Sequence, residues 1–257
     1  MSIGEKLHCE VIGEGEPLVL LHGWGVNSTV WQPVIEGLSQ YFKLYLVDLP
    51  GFGQSEPLVE YSLESITEAV LQVVPESATW CGWSLGGLIA TYAAVNYPQR
   101  VNKLIQVACS VKFVANEAWQ GVEKSVFDGF LLGLQTNPQK TLTRFIGLQA
   151  MGSISARKDS ALLKKLLLGT RPPDQGALIA GLKLLSESDL RDAFASLSRP
   201  CLSLFGQFDS LVPLQTKQNM QLLAPSIESQ LFENSSHAPF VSETKLFCQR
   251  VITFICG

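Results

Sequence analysis

Apolar and polar positions alternate in blocks along this chain rather than residue by residue. Short apolar runs without a period of two recur between stretches with helical spacing, a pattern typical of parallel strands covered on both faces. The runs that predict strands are 18–21, 44–47, 78–81, 103–107, 201–205 and 229–232. The helical patterns between them include 63–74, 88–95 and 216–223. We therefore predict a doubly wound α/β fold, a mostly parallel sheet flanked by helices.

One connection breaks this alternation. From 111 to 189 several helical patterns follow one another and nothing indicates a strand. A crossover between parallel strands needs only one helix. We therefore expect residues 111–189 to form a helical lid, inserted within a single domain of residues 1–257. Open α/β sheets bind ligands at the carboxyl ends of their strands, so the lid should lie over that edge.

Composition narrows the class of protein. The chain has 257 residues, 46% of them apolar and 16% charged, with a net charge of -4, as expected for one compact domain without a nucleic-acid or membrane partner. Residues 1–15 carry charges where a signal peptide would be apolar. The six cysteines are dispersed, which favours reduced thiols in the cytoplasm. We expect a cytoplasmic monomer.

The motif with the most chemical content is Gly82-Trp83-Ser84-Leu85-Gly86, between a predicted strand and a predicted helix. A serine hydroxyl is a weak nucleophile unless a base activates it and the backbone exposes it. A sharp strand-to-helix turn exposes it, and crowding two residues to either side of the serine favours glycine. The motif predicts Ser84 as a catalytic nucleophile.

A base for Ser84 must come from three histidines. His237 follows the last predicted strand in a loop of small residues, where a base belongs. His22 begins the segment His22-Gly23-Trp24-Gly25, which suggests another role, and His8 lies in what looks like an edge strand. We therefore predict His237 as the general base.

The acid that orients this base is predicted by position. Asp209 follows strand 201–205, whereas the segment after strand 103–107 contains no acid. The order Ser84, Asp209, His237 matches the order of such triads on α/β sheets. An oxyanion would then be stabilised by the backbone N–H groups of Leu85 and Trp24, which follow the nucleophile and the first parallel strand.

The chain resembles the α/β-hydrolase superfamily from end to end, and within it the carboxylesterases of biotin synthesis. The match is carried by the two predicted oxyanion segments, one of which contains Ser84, by the loops after strand 44–47 and around His237, and by two short segments of the lid. These stretches are 20–25, 46–53, 82–87, 236–240, 144–145 and 148–152.

The resemblance implies hydrolysis of the methyl ester of a pimeloyl chain carried on acyl carrier protein, with release of methanol. It assigns the triad to Ser84, Asp209 and His237. It implies that further positions contact substrate, namely Trp24, Leu85, Phe145, Ile146, Gly147, Leu148, Gln149 and His237. No cluster has metal-ligand spacing and no loop has the form that cradles phosphate, so we expect no metal and no cofactor.

The basic residues of the predicted lid indicate where an acidic carrier protein could bind. Between 140 and 171 there are seven basic residues and one acid, a net +6 in a chain of net -4. A basic face would attract an acidic carrier protein, and Lys140, Arg144 and Arg157 are the candidate docking residues. Ordinary solvated helix residues would give the same pattern, and Arg144 could instead pair within the lid.

Three functions stay open at this stage. The first is the carrier-linked methyl esterase. The second is a broader short-chain carboxylesterase or a carbon–carbon bond hydrolase, which would need the triad but not the basic lid. The third is a non-catalytic binding protein. The aromatic residues Trp24, Trp83, Phe145 and Phe208 could line an acyl tunnel or simply pack in the core.

Overall fold

The computed structural model describes residues 7–167 and 170–257, so 1–6 of the predicted domain and 168–169 of the predicted lid lie outside the described residues. Seven strands form one sheet in the order β1-β3-β2-β4-β5-β6-β7, in which only the edge strand β1 is antiparallel to its neighbour. The strands are β1 Cys9–Ile12, β2 Glu16–Leu21, β3 Phe42–Val47, β4 Ala78–Trp83, β5 Val101–Val107, β6 Cys201–Gly206 and β7 Glu228–Phe232. Every predicted strand lies within one of them.

Helices cover both faces of this sheet, because successive side chains of each strand point to opposite sides. Leu18 and Leu20 of β2 join the apolar layer beneath the first and last helices, while Val19 and Leu21 join the layer beneath the second and third. Outside the β5–β6 connection the helices are α1 Gln32–Leu38, α2 Leu63–Leu71, α3 Leu85–Asn96, α9 Leu214–Leu223, α10 Pro239–Ser242 and α11 Thr244–Cys256, with a short 3-10 turn at Ser28–Trp31.

The helices differ most from the sequence prediction at two boundaries, each by three residues. The second helix ends at Leu71 rather than at 74, shortly before Pro75, whose ring disfavours helix in the preceding residue. The third helix begins at Leu85, three residues earlier than predicted. Because Gly86 and Gly87 are poor helix formers, the sequence pattern missed the first turn of this helix. The helix in fact begins at the residue after Ser84.

Five helices lie between β5 and β6, where the described residues contain no strand beyond two isolated bridges. They are α4 Lys124–Thr136, α5 Pro138–Ala150, α6 Ala156–Leu167, α7 Gln175–Glu187 and α8 Arg191–Ala195. We call Lys124–Glu187 the helical segment. The β5–β6 connection that contains this segment closes near the sheet, since the N–H of Leu190 donates to Val111 O at 2.8 Å and Lys112 pairs with Asp189 at 3.0 Å.

All six cysteines, which lie in the described part of the chain, carry free thiols. Burial raises the pKa of Cys81, Cys109 and Cys201 far above that of an ordinary thiol. Within residues 7–167 and 170–257, no helix is both long and apolar enough to span a bilayer.

Candidate active site

Ser84 lies at a sharp turn between β4 and α3, with φ 54° and ψ -114°. A non-glycine residue adopts such a backbone only where its surroundings hold it there, and functional sites are where this strain is usually found. Nothing larger than glycine fits nearby, because a Cβ on Gly82 would meet Gly86 O and one on Gly86 would meet Leu21 O. The fold therefore imposes the turn that the glycine spacing predicted.

Asp209 and His237 meet at the carboxyl ends of β6 and β7. The imidazole Nδ1 lies 2.8 Å from Asp209 Oδ2, and both side chains are almost fully buried. Because a carboxylate can only accept, Nδ1 carries the proton. The other oxygen, Oδ1, accepts backbone N–H groups from Leu211 at 2.8 Å and Val212 at 2.9 Å. The carboxylate is thus fixed on one side by the backbone and holds the imidazole on the other.

The second ring nitrogen of His237, Nε2, is buried and has no hydrogen-bond partner among the described residues. The backbone of the same residue is well held, since its N–H donates to Gln149 O at 3.0 Å and its carbonyl accepts Trp83 Nε1–H at 2.7 Å. Trp83 directly precedes Ser84, and its ring lies 5.8 Å from the imidazole. The imidazole is therefore anchored beside the serine turn with its acceptor nitrogen unused.

The loop after β2 also borders Ser84. A Cβ on Gly23 would lie 3.4 Å from Ser84 Cβ. The N–H of Leu85 is the first of α3 and has no acceptor within the helix. The N–H of Trp24 donates to no other residue that the structure describes. Two unused N–H groups thus lie on the segments that flank the serine, the arrangement that stabilises an oxyanion.

His22 has a different role from His237. Its Nδ1–H donates to Gly23 O at 2.7 Å, and its Nε2 accepts the N–H of Leu49 at 2.9 Å. Burial is the main cause of a lowered pKa, so the ring is neutral. His22 therefore ties the loop after β2 to the loop after β3 and shapes the segment that carries Trp24. The sequence indicated a separate role for His22 but not these two contacts.

An apolar wall from the helical segment closes over the loop after β2. The rings of Trp24 and Phe145 meet edge to face at 4.6 Å, and Trp24 Nε1–H donates to Leu178 O at 2.8 Å. Gln149 is buried, and its Oε1 has no partner within the described residues. The wall therefore brings two of the five predicted lid positions, Phe145 and Gln149, next to Trp24 and His237.

The other three predicted lid positions differ in their surroundings. Ile146 lines a cavity of about 130 Å³ that also borders Gly25 and Leu142. Leu148 is half-buried and packs against the core, and a Cβ on Gly147 would meet nothing within 4 Å. Ile146 thus borders a cavity beside the loop after β2, and Gly147 faces open space.

The four aromatic residues that could line an acyl tunnel or pack in the core differ in burial and position. Trp83 is fully buried and packs against Phe240 at 4.9 Å, beneath the imidazole. Phe208 is 42% exposed at the surface. Trp24 and Phe145 are buried beside the serine turn. Of these four residues, Trp24 and Phe145 are therefore the ones that could line a path to Ser84. The hydrogen bond from Trp83 to the His237 carbonyl had no signal in the sequence.

The seven basic residues between 140 and 171 are all exposed, while the one acid among them, Asp159, is buried. Lys140, Arg144 and Arg157 form no ion pair within the described residues, and the Arg144 guanidinium lies 5.6 Å from the Phe130 ring centre. The positive charge of these three side chains thus faces solvent. The described part of the chain holds no cluster of three side chains suited to a metal ion.

The sequence of this chain is similar to those of known proteins along nearly its whole length. The family described as alpha/beta hydrolase fold matches residues 16–244. The chain is 47% identical to the pimeloyl-[acyl-carrier protein] methyl ester esterase of Vibrio campbellii, over 97% of this chain and 98% of that protein. It is 45% identical to the esterase of the same description from Vibrio cholerae, over 96% and 97% of the two lengths.

Solved structures share the fold at lower identity. An esterase from Exiguobacterium antarcticum superposes with a TM-score of 0.87 at 22% identity, covering 98% of this chain and 96% of that one. An enol-lactonase from Burkholderia xenovorans gives a TM-score of 0.85 at 18% identity, with 98% and 96% covered. These two likenesses concern the fold alone.

Proposed function

Because the chain belongs to the alpha/beta hydrolase family and is a carboxylic ester hydrolase, we infer that it hydrolyses the methyl ester of pimeloyl-[acyl-carrier protein]. The observation that carries this inference is the identity of 41 to 47% to relatives of that description over at least 95% of both chains. Such similarity covers the helical segment as well as the sheet. The products would be methanol and the carrier-bound pimeloyl chain with a free carboxylate.

We propose that Ser84 attacks the ester carbonyl while His237 Nε2 takes the hydroxyl proton. The unused Nε2 and the Nδ1–Asp209 hydrogen bond support these roles. Asp209 holds the proton on Nδ1, so Nε2 is the acceptor, and it stabilises the imidazolium. The same imidazolium then protonates the leaving methoxide. Water attacks the resulting acyl-enzyme with His237 as base, which releases the free acid and restores Ser84.

The N–H groups of Leu85 and Trp24 would stabilise the negative oxygen of each tetrahedral intermediate. Their support is their position on the two segments that border Ser84 and the lack of other acceptors. One such donor is typically worth about 3 to 4 kcal/mol in the transition state. The Trp24 side chain, held by Leu178, fixes the loop that presents its N–H.

We propose that the helical segment acts as a lid and that its inner wall contacts the acyl chain. Phe145 and Gln149 are the best-placed contacts, because one touches Trp24 and the other is bonded through its carbonyl to His237. Ile146, Gly147 and Leu148 lie on the same helix but face other surroundings. We therefore expect smaller effects from substitutions at those three positions.

The decisive experiment compares ester substrates. We expect kcat/KM for methyl pimeloyl-carrier to exceed that for carrier-linked methyl esters of shorter and longer dicarboxylates. A small chromogenic ester gives the basal rate through the same serine. Equal kcat/KM for all chain lengths would contradict the pimeloyl assignment and would leave a general carboxylesterase.

Docking of the acidic carrier on Lys140, Arg144 and Arg157 is tested by charge reversal. Changing all three to Glu should lower kcat/KM for the carrier-linked ester by about tenfold or more, mainly through the association rate, and should spare the small ester. A matched control reverses Lys43, Lys245 and Arg250, three exposed basic residues of β3 and α11. Equal losses in both triple variants would show that net charge, not this face, matters.

A further inference from the structure

Asp159, in the first turn of α6, is a buried acid without a role in the proposed reaction. It is 3% exposed and forms no ion pair within the described residues. Three hydroxyl groups donate to its carboxylate, those of Ser153 at 2.8 Å, Ser155 at 2.8 and 2.9 Å, and Ser242 at 2.7 Å. A carboxylate removed from water needs such donors, so the cluster is a built site and not a chance contact.

Two of these serines belong to residues 149–155, the end of α5 together with the turn to α6, which we call the junction turn. The junction turn is bonded to the loop that ends in His237. The N–H of His237 donates to Gln149 O at 3.0 Å, and Ser236 Oγ donates to Met151 O at 2.8 Å. A third bond runs the other way, from the N–H of Ile154 to Asn234 O at 3.2 Å.

The third serine, Ser242, lies on the other side of His237 along the chain. It ends α10, the four-residue helix that begins at Pro239, two positions after the histidine. Its N–H donates to Ala238 O at 3.2 Å. One carboxylate thus connects the junction turn, which holds the approach to His237, with the helix that follows His237. The main chain on both sides of the histidine is therefore tied to α6.

We propose that Asp159 is a positioning residue, which sets the place of the His237 imidazole between Asp209 and Ser84 by fixing the main chain on both sides of it. The proposal rests on the proposed role of His237 as base. Proton transfer depends steeply on geometry, and a shift of about 1 Å can cost about a hundredfold in rate. The effect should fall mainly on kcat, because the hydrogen bonds that lead from Asp159 run to the main chain around His237 and not to the ring of Phe145.

The test measures hydrolysis of a small chromogenic ester by four variants. Asp159→Ala removes the acceptor of all three hydroxyl groups and should lower kcat by about tenfold or more with KM within about twofold. Asp159→Asn keeps one oxygen for Ser153 and Ser242, and its amide can donate to Ser155, so most of the rate should return. Asp128→Ala, at an exposed acid of α4 that pairs with Lys124, is the matched control and should keep the wild-type kcat. Ser84→Ala gives the uncatalysed baseline.

A spectroscopic signature separates positioning from loss of folded protein. The Nδ1 proton of His237, held by Asp209, should give a low-field proton resonance. It should shift or broaden in Asp159→Ala and return in Asp159→Asn. A wild-type kcat in folded Asp159→Ala, a change in KM alone, or an unchanged resonance together with a lower kcat would each overturn the proposal.

Two further arms keep the test decisive. If Asp159→Ala does not fold, Ser242→Ala removes a single hydroxyl and should still lower kcat by about threefold or more, and a wild-type rate there would overturn the proposal. If Ser84→Ala hydrolyses the ester at the wild-type rate, the proposed function itself fails. If Ser84→Ala is inactive while Asp159→Ala is as active as wild type, only the positioning role fails.

Discussion

The loop after β2 and the loop after β7 each place a buried histidine near the carboxyl edge of the sheet, but the two rings are used in opposite ways. Both nitrogens of His22 bind backbone groups, Gly23 O and the N–H of Leu49. His237 binds a carboxylate with one nitrogen and leaves the other unpartnered within the described residues. Burial is nearly the same in the two rings, with exposures of 0% and 1%.

The difference shows that burial alone does not identify a base. A ring whose two nitrogens are satisfied by the main chain is a fixed link between loops, and protonating it would break one of its bonds. A ring held by a carboxylate gains a stabilised cation and keeps an acceptor for a substrate proton. We therefore expect His22 to support the site by shape, whereas His237 is the ring that we propose as the base.

The contrast between the two histidines is tested most strongly by removing the side chains that we propose to react. Ser84→Ala and His237→Ala should each lower kcat for a small ester by about 10⁴-fold or more, since the members of such a triad act as one unit. The melting temperature of Ser84→Ala should change little, because its hydroxyl makes no capping hydrogen bond to the start of α3. Substantial turnover by either folded variant would show that another residue is the nucleophile or the base.

Asp209→Asn should come next in size. The new side chain can still accept from Leu211 and Val212, but its amide faces His237 Nδ1 as a donor. The imidazole would then carry its proton on Nε2, the wrong nitrogen for a base, and kcat should fall by about 10³ to 10⁴-fold. Leu211→Ala, which keeps the backbone N–H, serves as a control. A loss below tenfold in Asp209→Asn would contradict the orienting role.

Removing His22 should act on stability before rate. His22→Ala leaves the buried N–H of Leu49 and the carbonyl of Gly23 unsatisfied, which should lower the free energy of unfolding by about 2 to 4 kcal/mol. The loop that carries Trp24 loses its brace, so kcat should also fall by about tenfold. His8→Ala, at a half-buried histidine whose ring contacts the Gln54 amide, is the control. Equal unfolding energies of the two variants would remove the bracing role.

The smallest effect is a dependence of stability on pH. Burial keeps the pKa of His22 below its unfolded value, so as pH falls below about 6.5 the unfolded chain binds a proton that the native state does not. Stability should therefore be fully present above that pH and decline below it, by up to about 1.4 kcal/mol per pH unit. Denaturant unfolding between pH 7.5 and 5.5 should show a steeper decline for wild type than for His22→Ala. Parallel curves would mean that the ring is protonated in the native state.

Local sequence patterns determined the strands and the serine turn of this protein. Most of the predicted strands are short apolar runs, and burial on both faces leaves such a run few alternatives. The glycines at 82 and 86 were equally informative, because only residues without a Cβ fit against Gly86 O and Leu21 O. Chain order and strand ends sufficed to select Asp209 and His237, although no pattern contains their 2.8 Å contact.

Only the tertiary structure decided which of these groups are free to react and what holds them. The bond from Leu49 to His22, the bond from Trp83 to the His237 carbonyl and the bond from Ser242 to Asp159 each join residues far apart in sequence. Local propensity carries no information on such pairs, because they depend on how loops from different strands and helices pack together. Whether a buried polar atom finds a hydrogen-bond partner thus depends on the assembled fold. The end of a strand and the turn at Ser84, in contrast, are determined by the neighbouring residues in the sequence.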